Sequence, residues 1–499
     1  MTRAIRLTDI DDVAILVDAA LPGADVLGAP TRDAIASGHK MALRDLAVGE
    51  PVLKYGQLIG YATQRIAAGD HVHSHNLGVS GAGAGRSAPA AAPAPRQPAS
   101  PGWPTFEGYV REDGRVGTRN LIGVITSVNC AATVARRAVR RFEDRQIAGI
   151  DAVAPFTHVS GCGMAKNDEG AALLERTVAG YARHPNLGGA LLIGLGCEVA
   201  QIQDLLDHHH LKPGPRLKTL IIQEAGGTAE AIEQAISLIE ALIEEVRTDR
   251  RVTRPASDLV LGLQCGGSDG WSGVTANPAL GAAADRLVAA GGTALLSETP
   301  EIYGAEHLLL ARAADPSVAA SLKARIAWWE AYAARNDVSL DNNPSPGNKL
   351  GGLTTIFEKS LGAVAKAGSS PLAGVLRYGE PVRTKGLVFM DSPGYDPCSA
   401  TGQIASGANL LAFTTGRGSV FGARCAPCLK IGSNAQLAHA MAGDIDFDAS
   451  RILEGLSVDE AGSAIFEDLI AIASGRPTKS ETHGIGDYEF VPWQLGAWL

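Results

Sequence analysis

The sequence predicts a multidomain protein, with a small, mostly β N-terminal domain followed by α/β domains built on largely parallel sheets. Three observations carry this. Residues 1–78 alternate short apolar runs with polar turns, as short strands do. Residues 79–104, VSGAGAGRSAPAAAPAPRQPASPGWP, are nearly free of large apolar side chains and read as a linker. From residue 105 the pattern becomes apolar run, polar glycine-bearing turn, amphipathic stretch, repeated many times. A chain of 499 residues is also too long for a single core.

In the first segment the apolar runs are Ala14–Val17, Ala42–Leu43, Val52–Leu53 and Ile59–Tyr61. It closes on Asp70-His71-Val72-His73-Ser74-His75-Asn76. On a strand, alternation sets His71, His73 and His75 on one face at steps of about 7 Å, a pattern suited to a divalent metal or to acid–base work. Gly38-His39-Lys40 and Lys54-Tyr55-Gly56 supply further polar turns.

Beyond the linker, a region at 105–255 is expected to carry strands at Leu121–Val128, Ala152–Pro155, Gly189–Gly194 and Thr219–Ile222. The helices between them fall near 132–143, 168–180 and 229–247. In the last, apolar residues at 232, 236, 239 and 242–243 form one buried stripe. A region at 256–384 continues with strands at Leu259–Leu263 and Thr293–Leu296 and a helix over 320–336. A region at 385–499 opens on the strand Gly386–Met390, and a closing helix spans 455–475. Within it, 391–422 reads as glycine-rich turn, strand and glycine-rich turn, ending in Thr414-Thr415-Gly416-Arg417-Gly418-Ser419. Hydroxyls, backbone N–H groups and an arginine gathered at strand ends make an anion-binding edge.

The totals narrow the function. Aromatic residues are 5% and the net charge is −9, which argues against nucleic acid as partner, since that needs a basic surface and stacking platforms. The start places Asp9, Asp11 and Asp12 ahead of its apolar run, unlike a secretory signal, and no apolar run nears the ~20 residues that span a bilayer. A cytoplasmic location with no membrane partner is expected. Seven cysteines are too scattered for a disulfide scaffold of this size, and thiols beside glycines at strand ends suggest metal chemistry. Neither G-x-G-x-x-G nor a P-loop occurs in order, so nucleotide binding is weakly supported.

The turns supply candidate groups for a site. Cys162, Cys197 and Cys265 sit beside glycines, with Cys130 available as a fourth. Three thiolates leaving one iron open would suit an iron–sulfur cluster that binds a hydroxy acid. His158, Glu198 and Lys349 are candidate acids and bases, and the sequence does not choose among them. Arg119 and Arg417 would hold a carboxylate, while Ser268, Asp269 and Thr415 would hold hydroxyls.

The motifs GYVREDGRVGTRN (108–120), SGCG (160–163), GLGCE (194–198), QCGGSDGWSGVTANPALG (264–281), SETPEIYGAEHLL (297–309) and NPSPGNKLGGL (343–353), with the stretch 391–422, resemble the altronate/galactarate dehydratase family. GHKMAL (38–43), KYGQLIGYA (54–62) and HVHSHN (71–76) are similar to that family's SAF domain, a β-clip-like module. HVHSHN and MDSPGYDP look closer to its altronate-acting branch. The resemblance implies metal-assisted removal of water from a small anionic sugar acid, giving a 2-keto-3-deoxy acid. Iron is the expected metal and manganese the alternative. His71 and His73, with motif cysteines or carboxylates, would hold the metal. Galactarate dehydration and sulfolactate sulfo-lyase chemistry are the alternatives within the family, a non-catalytic sugar-acid binder is the alternative outside it, and a homo-oligomer is compatible with all of these.

Overall fold

Strands buried on both faces read as unbroken apolar runs, and that pattern places the two sheets on which the molecule is built. The structure, a computed structural model, describes residues 2–79, 104–143 and 145–496. The expected linker at 79–104 lies almost wholly outside the described residues.

The first parallel sheet has four strands in the order Ala152–Phe156, Leu121–Thr126, Leu187–Gly194, Leu217–Ile221. Every residue of Leu187–Gly194 is buried. Alternating side chains face two separate cores. Ile122, Val124, Leu191 and Ile193 pack against helices Ala132–Arg140 and Thr228–Val246. Leu121, Ile125 and Leu192 pack against helices Glu169–Ala182 and Ile202–His208.

The second sheet has seven strands, all parallel: Leu372–Leu376, Gly386–Met390, Thr293–Leu296, Val260–Cys265, Leu410–Thr415, Cys428–Gly432, Phe447–Asp448. Residues 256–384 and 385–499, read from sequence as separate regions, therefore contribute strands to one sheet, with Gly386–Met390 inserted between two strands of the earlier segment. Helices Ala276–Ala289 and Val458–Ala473 pack on one face. On the other lies helix Asp396–Ala405, which joins the core shared with the first sheet. That helix corrects the reading of 391–409 as a glycine-rich turn. Gly402 sits inside it because a Cβ there would stand 2.4 Å from the Tyr378 ring.

The N-terminal segment forms small antiparallel sheets. One runs Ala4–Ile5, Val13–Leu16, Lys40–Ala42, His71–Val72, and another runs Pro51–Lys54, Gln57–Ala62, Leu77–Gly78. Val13, Ala42, Val52, Ile59 and Val72 share a core with the seven-stranded domain. At the junction Lys40, Lys54 and Glu358 are all fully buried, and both lysines bond the one carboxylate, at 2.9 and 2.7 Å. Lys40 also donates to the carbonyl of Gly352 at 2.6 Å. Backbones meet closely beside it: a Cβ on Gly270 or Gly352 would stand 2.1 or 2.5 Å from the carbonyl oxygen of Gly38.

Candidate active site

In the seven-stranded sheet the chain leaves Val260–Cys265 toward Thr293–Leu296 on one side, and leaves Leu410–Thr415 toward Cys428–Gly432 on the other. The strand order thus reverses between Cys265 and Thr415, and the crevice beyond two such carboxyl ends is where ligands bind in open α/β sheets. The turns leaving these strands hold Ser268, Asp269, Thr415 and Arg417, so the structure brings together four of the residues expected to grip substrate.

Asp269 organises the crevice. Its buried carboxylate accepts hydrogen bonds from the N–H groups of Trp271 and Ser272, the hydroxyls of Ser272 and Ser433, and the Asn434 amide, at 2.8–3.1 Å. Burial raises its pKa, although these donors oppose that. Gly416 crosses directly over it: a Cβ would lie 2.1 Å from the Asp269 carboxyl carbon. The Thr415 hydroxyl is buried and accepts from the N–H of Gly418 at 3.0 Å, and the Ser268 carbonyl accepts from Asn348 at 2.8 Å. Asp269 and Thr415 thus fix the turns, while Arg417 is exposed and carries no ion pair among the described residues. The cleft has a volume of ≈ 520 Å³, and Arg3, His39, Asp269, Gly351, Arg417 and Asn434 are among the residues that line it.

The N-terminal domain closes the rim with imidazoles. The rings of His39, His71, His73 and His75 have neighbouring centroids 5.1–6.5 Å apart. The strand expected to align them covers only His71–Val72. Beyond it the chain turns, braced by Asn76, whose side chain bonds the N–H of His73 and the carbonyl of His71. His39, noted in the sequence only as part of a polar turn, completes the group: its Nδ1 is 3.0 Å from His71 Nε2. His39 Nε2 faces the Leu350 carbonyl at 3.2 Å, and His73 Nε2 faces the Lys349 carbonyl at 2.8 Å. A carbonyl only accepts, so those nitrogens carry the protons and each opposite nitrogen keeps a lone pair. Burial lowers the pKa of His39, His71 and His73, that of His71 to about 4, which keeps the rings neutral. Neutral imidazoles oriented by backbone carbonyls are the donor set a divalent cation takes. Lys349 and Asp341 line a hollow together with His39, His71 and His73.

Behind the crevice lies a buried charged group. Cys265 Sγ and carboxylate oxygens of Glu298 and Glu301 all stand within 4.8 Å of one another and could hold a metal ion; the imidazole nitrogens of no three histidines crowd so closely. Two ammonium groups already occupy this place. Lys366 donates to Cys265 at 2.8 Å, and Lys359 donates to Glu301 at 2.7 Å. Burial pushes the Cys265 thiol up to about 12. Burial also raises Glu298, with Glu301 adding to the effect, and raises Asp396 to about 7. Both oxygens of Glu298 lack a hydrogen-bond partner, and its backbone is left-handed at φ 73°. Glu301, Lys359 and Lys366 were not singled out from sequence, because a lysine inside an apolar helix gives no signal of what it will face.

The remaining expected site residues fall elsewhere. Arg119, expected to bind the substrate carboxylate, is a buried brace. It bonds both oxygens of Glu481, at 2.6 and 2.9 Å, and also the carbonyls of Thr118, Ile472 and Arg476. His158 lies in the four-stranded domain between the carbonyl of Thr126 and the hydroxyl of Ser160, its pKa lowered to about 4 by burial. Glu198 accepts from the hydroxyl of Ser127 and the N–H groups of Leu195 and Gly196, which ties one strand end together. Cys162 and Cys197 are exposed at the edge of that same sheet, on a different sheet from Cys265.

Fold and cleft together define an α/β enzyme-type site, with an arginine-bearing crevice at a strand-order reversal beside a histidine-bearing β module. Three family models match the chain: the Altronate/galactarate dehydratase SAF domain over 2–80, the D-galactarate dehydratase/Altronate hydrolase second domain over 108–247, and the D-galactarate/Altronate dehydratase C-terminal domain over 256–498. The chain is 36% identical to the altronate dehydratase of Escherichia coli (strain K12), over 96% of each chain. It is 37% identical to that of Bacillus subtilis (strain 168), over 90% of each. To the galactarate dehydratase (L-threo-forming) of Escherichia coli (strain K12) it is 36% identical, over 95% of this chain and 93% of that one. The protein belongs to the altronate/galactarate dehydratase family. No helix among the described residues is long and apolar enough to cross a membrane.

Proposed function

We propose that the protein is a hydro-lyase that removes water from a sugar acid, altronate first among candidates, to give a 2-keto-3-deoxy acid, with the crevice between Cys265 and Thr415 as its active site. The observation that carries this is the meeting of two unlike surfaces at one cleft. The guanidinium of Arg417 and the imidazole of His39, from a separate domain, line the same cleft, and His39 also lines the adjoining hollow that holds His71 and His73.

The reaction removes a weakly acidic proton beside a carboxylate and expels hydroxide from the next carbon. Arg417 would fork onto the carboxylate and steady the enolate-like charge as it develops. A divalent cation, iron or manganese, would draw electrons from the oxygen it meets. His39, His71 and His73 are the ligands we assign to it, since the group around Cys265 is already neutralised by Lys359 and Lys366, whose charges oppose a further cation. Lys349, which lines the histidine hollow, would exchange a proton at the leaving hydroxyl.

Turnover of the metal-loaded protein on a panel of aldonic and aldaric acids tests the reading, with the product identified chemically. A 2-keto-3-deoxy acid from altronate is the expected result. Sulfite from a sulfonated hydroxy acid, or binding of sugar acids without turnover, would overturn it.

A further inference from the structure

The four-stranded domain has chemistry of its own, away from the crevice. Of the seven cysteines, four are buried, while Cys130, Cys162 and Cys197 are exposed. Cysteine is among the residue types most often buried, so three exposed thiols on one small domain call for a reason. Their places are related. Cys130 follows the strand Leu121–Thr126, Cys162 follows Ala152–Phe156, and Cys197 follows Leu187–Gly194. In the sheet the first of these strands lies between the other two, and all three are parallel. The three thiols therefore leave three adjacent strand ends on the same edge.

The turns that carry them are laced together. The N–H of Asn129 donates to the carbonyl of Ser160 at 2.9 Å, and the N–H of Ala200 donates to the carbonyl of Gly161 at 3.1 Å. Ser127 bonds Glu198 at 2.8 Å across the same edge. Cys162 is flanked by Gly161 and Gly163, at φ 99° and 68°, and Cys197 follows Gly196, at φ 126°. Left-handed glycines beside a ligating residue turn successive N–H groups toward one anionic centre, the geometry of many iron–sulfur sites. The Gln223 amide also donates to Cys197 Sγ at 3.4 Å, and hydrogen bonds to ligand sulfurs tune a cluster. The three sulfurs do not all lie within 4.8 Å of one another. Thiolates that hold a cluster stand further apart than those sharing a single metal.

We propose that Cys130, Cys162 and Cys197 hold an iron–sulfur cluster at the carboxyl edge of the four-stranded sheet. Three protein thiolates leave one iron of a cubane without a protein ligand, open to an oxygen donor such as a carboxylate or hydroxyl. This replaces the set suggested by sequence, in which Cys265 was the third ligand. It is independent of the histidine site and of the reaction assigned to the crevice.

The test is anaerobic reconstitution of the full chain with iron and sulfide, read by bound iron, acid-labile sulfide and the visible absorption of the product. Roughly four irons and four sulfides per chain are expected, as for a cubane cluster. Cys130→Ser, Cys162→Ser and Cys197→Ser should each abolish most of the bound sulfide with unchanged circular dichroism, while Cys265→Ser and His71→Ala should retain it. Iron without sulfide, zinc in place of iron, sulfide retained in a Cys130→Ser/Cys162→Ser double variant, or sulfide lost only with Cys265→Ser would each overturn the proposal.

Discussion

Lys40 and Glu358 meet at 2.9 Å with no solvent exposure on either side chain, and they belong to different domains. The contact sets the imidazole of the preceding residue, His39, against the carbonyl of Leu350 and so against the crevice. Taking charges out of water is costly, and such a pair is retained where the second lysine and further hydrogen bonds complete it. Here Lys54, Thr354 and the Gly352 carbonyl do so.

Removing the shared acceptor would leave two buried ammonium groups. Glu358→Gln is expected to destabilise the protein by roughly 3–5 kcal/mol. Chemical denaturation would show the lowered midpoint. Limited proteolysis would show the N-terminal domain released ahead of the rest.

The same carboxylate makes an acid limit. Burial alone would raise its pKa, but Lys40 and Lys54 outweigh burial and hold it far below the ordinary 4.5. An acid whose folded pKa is depressed contributes stability above its unfolded value and loses it as pH falls toward the folded one. Stability should therefore drop below about pH 4.5, and the part of that drop due to this group should be missing in Glu358→Gln. Lys40 has the same sign of pH dependence in a separate, alkaline window, since burial lowers it to about 8 from 10.5. Between those values the unfolded chain holds the extra proton, so this group's contribution rises with pH. Thermal melts of both proteins across the acid and alkaline ranges check the two windows.

Arg417 is assigned the substrate carboxylate. Arg417→Lys keeps the charge and loses the fork, and a fall of roughly 10- to 100-fold in kcat/KM is expected. Stability should be unchanged, because the side chain is exposed. Steady-state kinetics beside a melting curve separates the two effects.

For the histidine site, His71→Ala should lose bound divalent metal and turnover together while retaining the fold. Full metal content and full turnover in that variant would remove the histidines from the mechanism. Metal analysis after exhaustive chelation and reloading is the measurement.

Gly416 tests the crevice floor. In Gly416→Ala the new methyl would meet the Asp269 carboxyl group, which is held by five hydrogen bonds and cannot move aside freely. A loss of roughly 1–3 kcal/mol is expected from overpacking. A shift in the denaturation midpoint checks it.

Much of the α/β architecture was legible because strands covered on both faces leave unbroken apolar runs, as at Leu187–Gly194 and Gly386–Met390. Their order in the sheet was not. Nothing local tells Gly386–Met390 to insert beside Thr293–Leu296, so one sheet read as two regions. The crevice residues 268, 269, 415 and 417 stood out as polar groups at strand ends. Arg119 stood out equally and proved to be a brace, because the partner that takes it, Glu481, is 362 residues away. Cys162, Cys197 and Cys265 share a glycine-flanked pattern, yet two lie at the edge of one sheet and the third is buried at the end of a strand in another. Local pattern reports that a side chain sits at a strand end. It does not report which strand ends are neighbours.

The docking of the N-terminal domain has a consequence for how the site is held together. Its described contacts with the rest of the protein, from the shared apolar core and the Lys40 and Lys54 pairs to the imidazole–carbonyl bonds at Lys349 and Leu350, are noncovalent. The geometry of the cleft is therefore a binding equilibrium. Covalent continuity between the two pieces sets the local concentration at which that equilibrium is posed, and leaves the shape of the bound state to the interface.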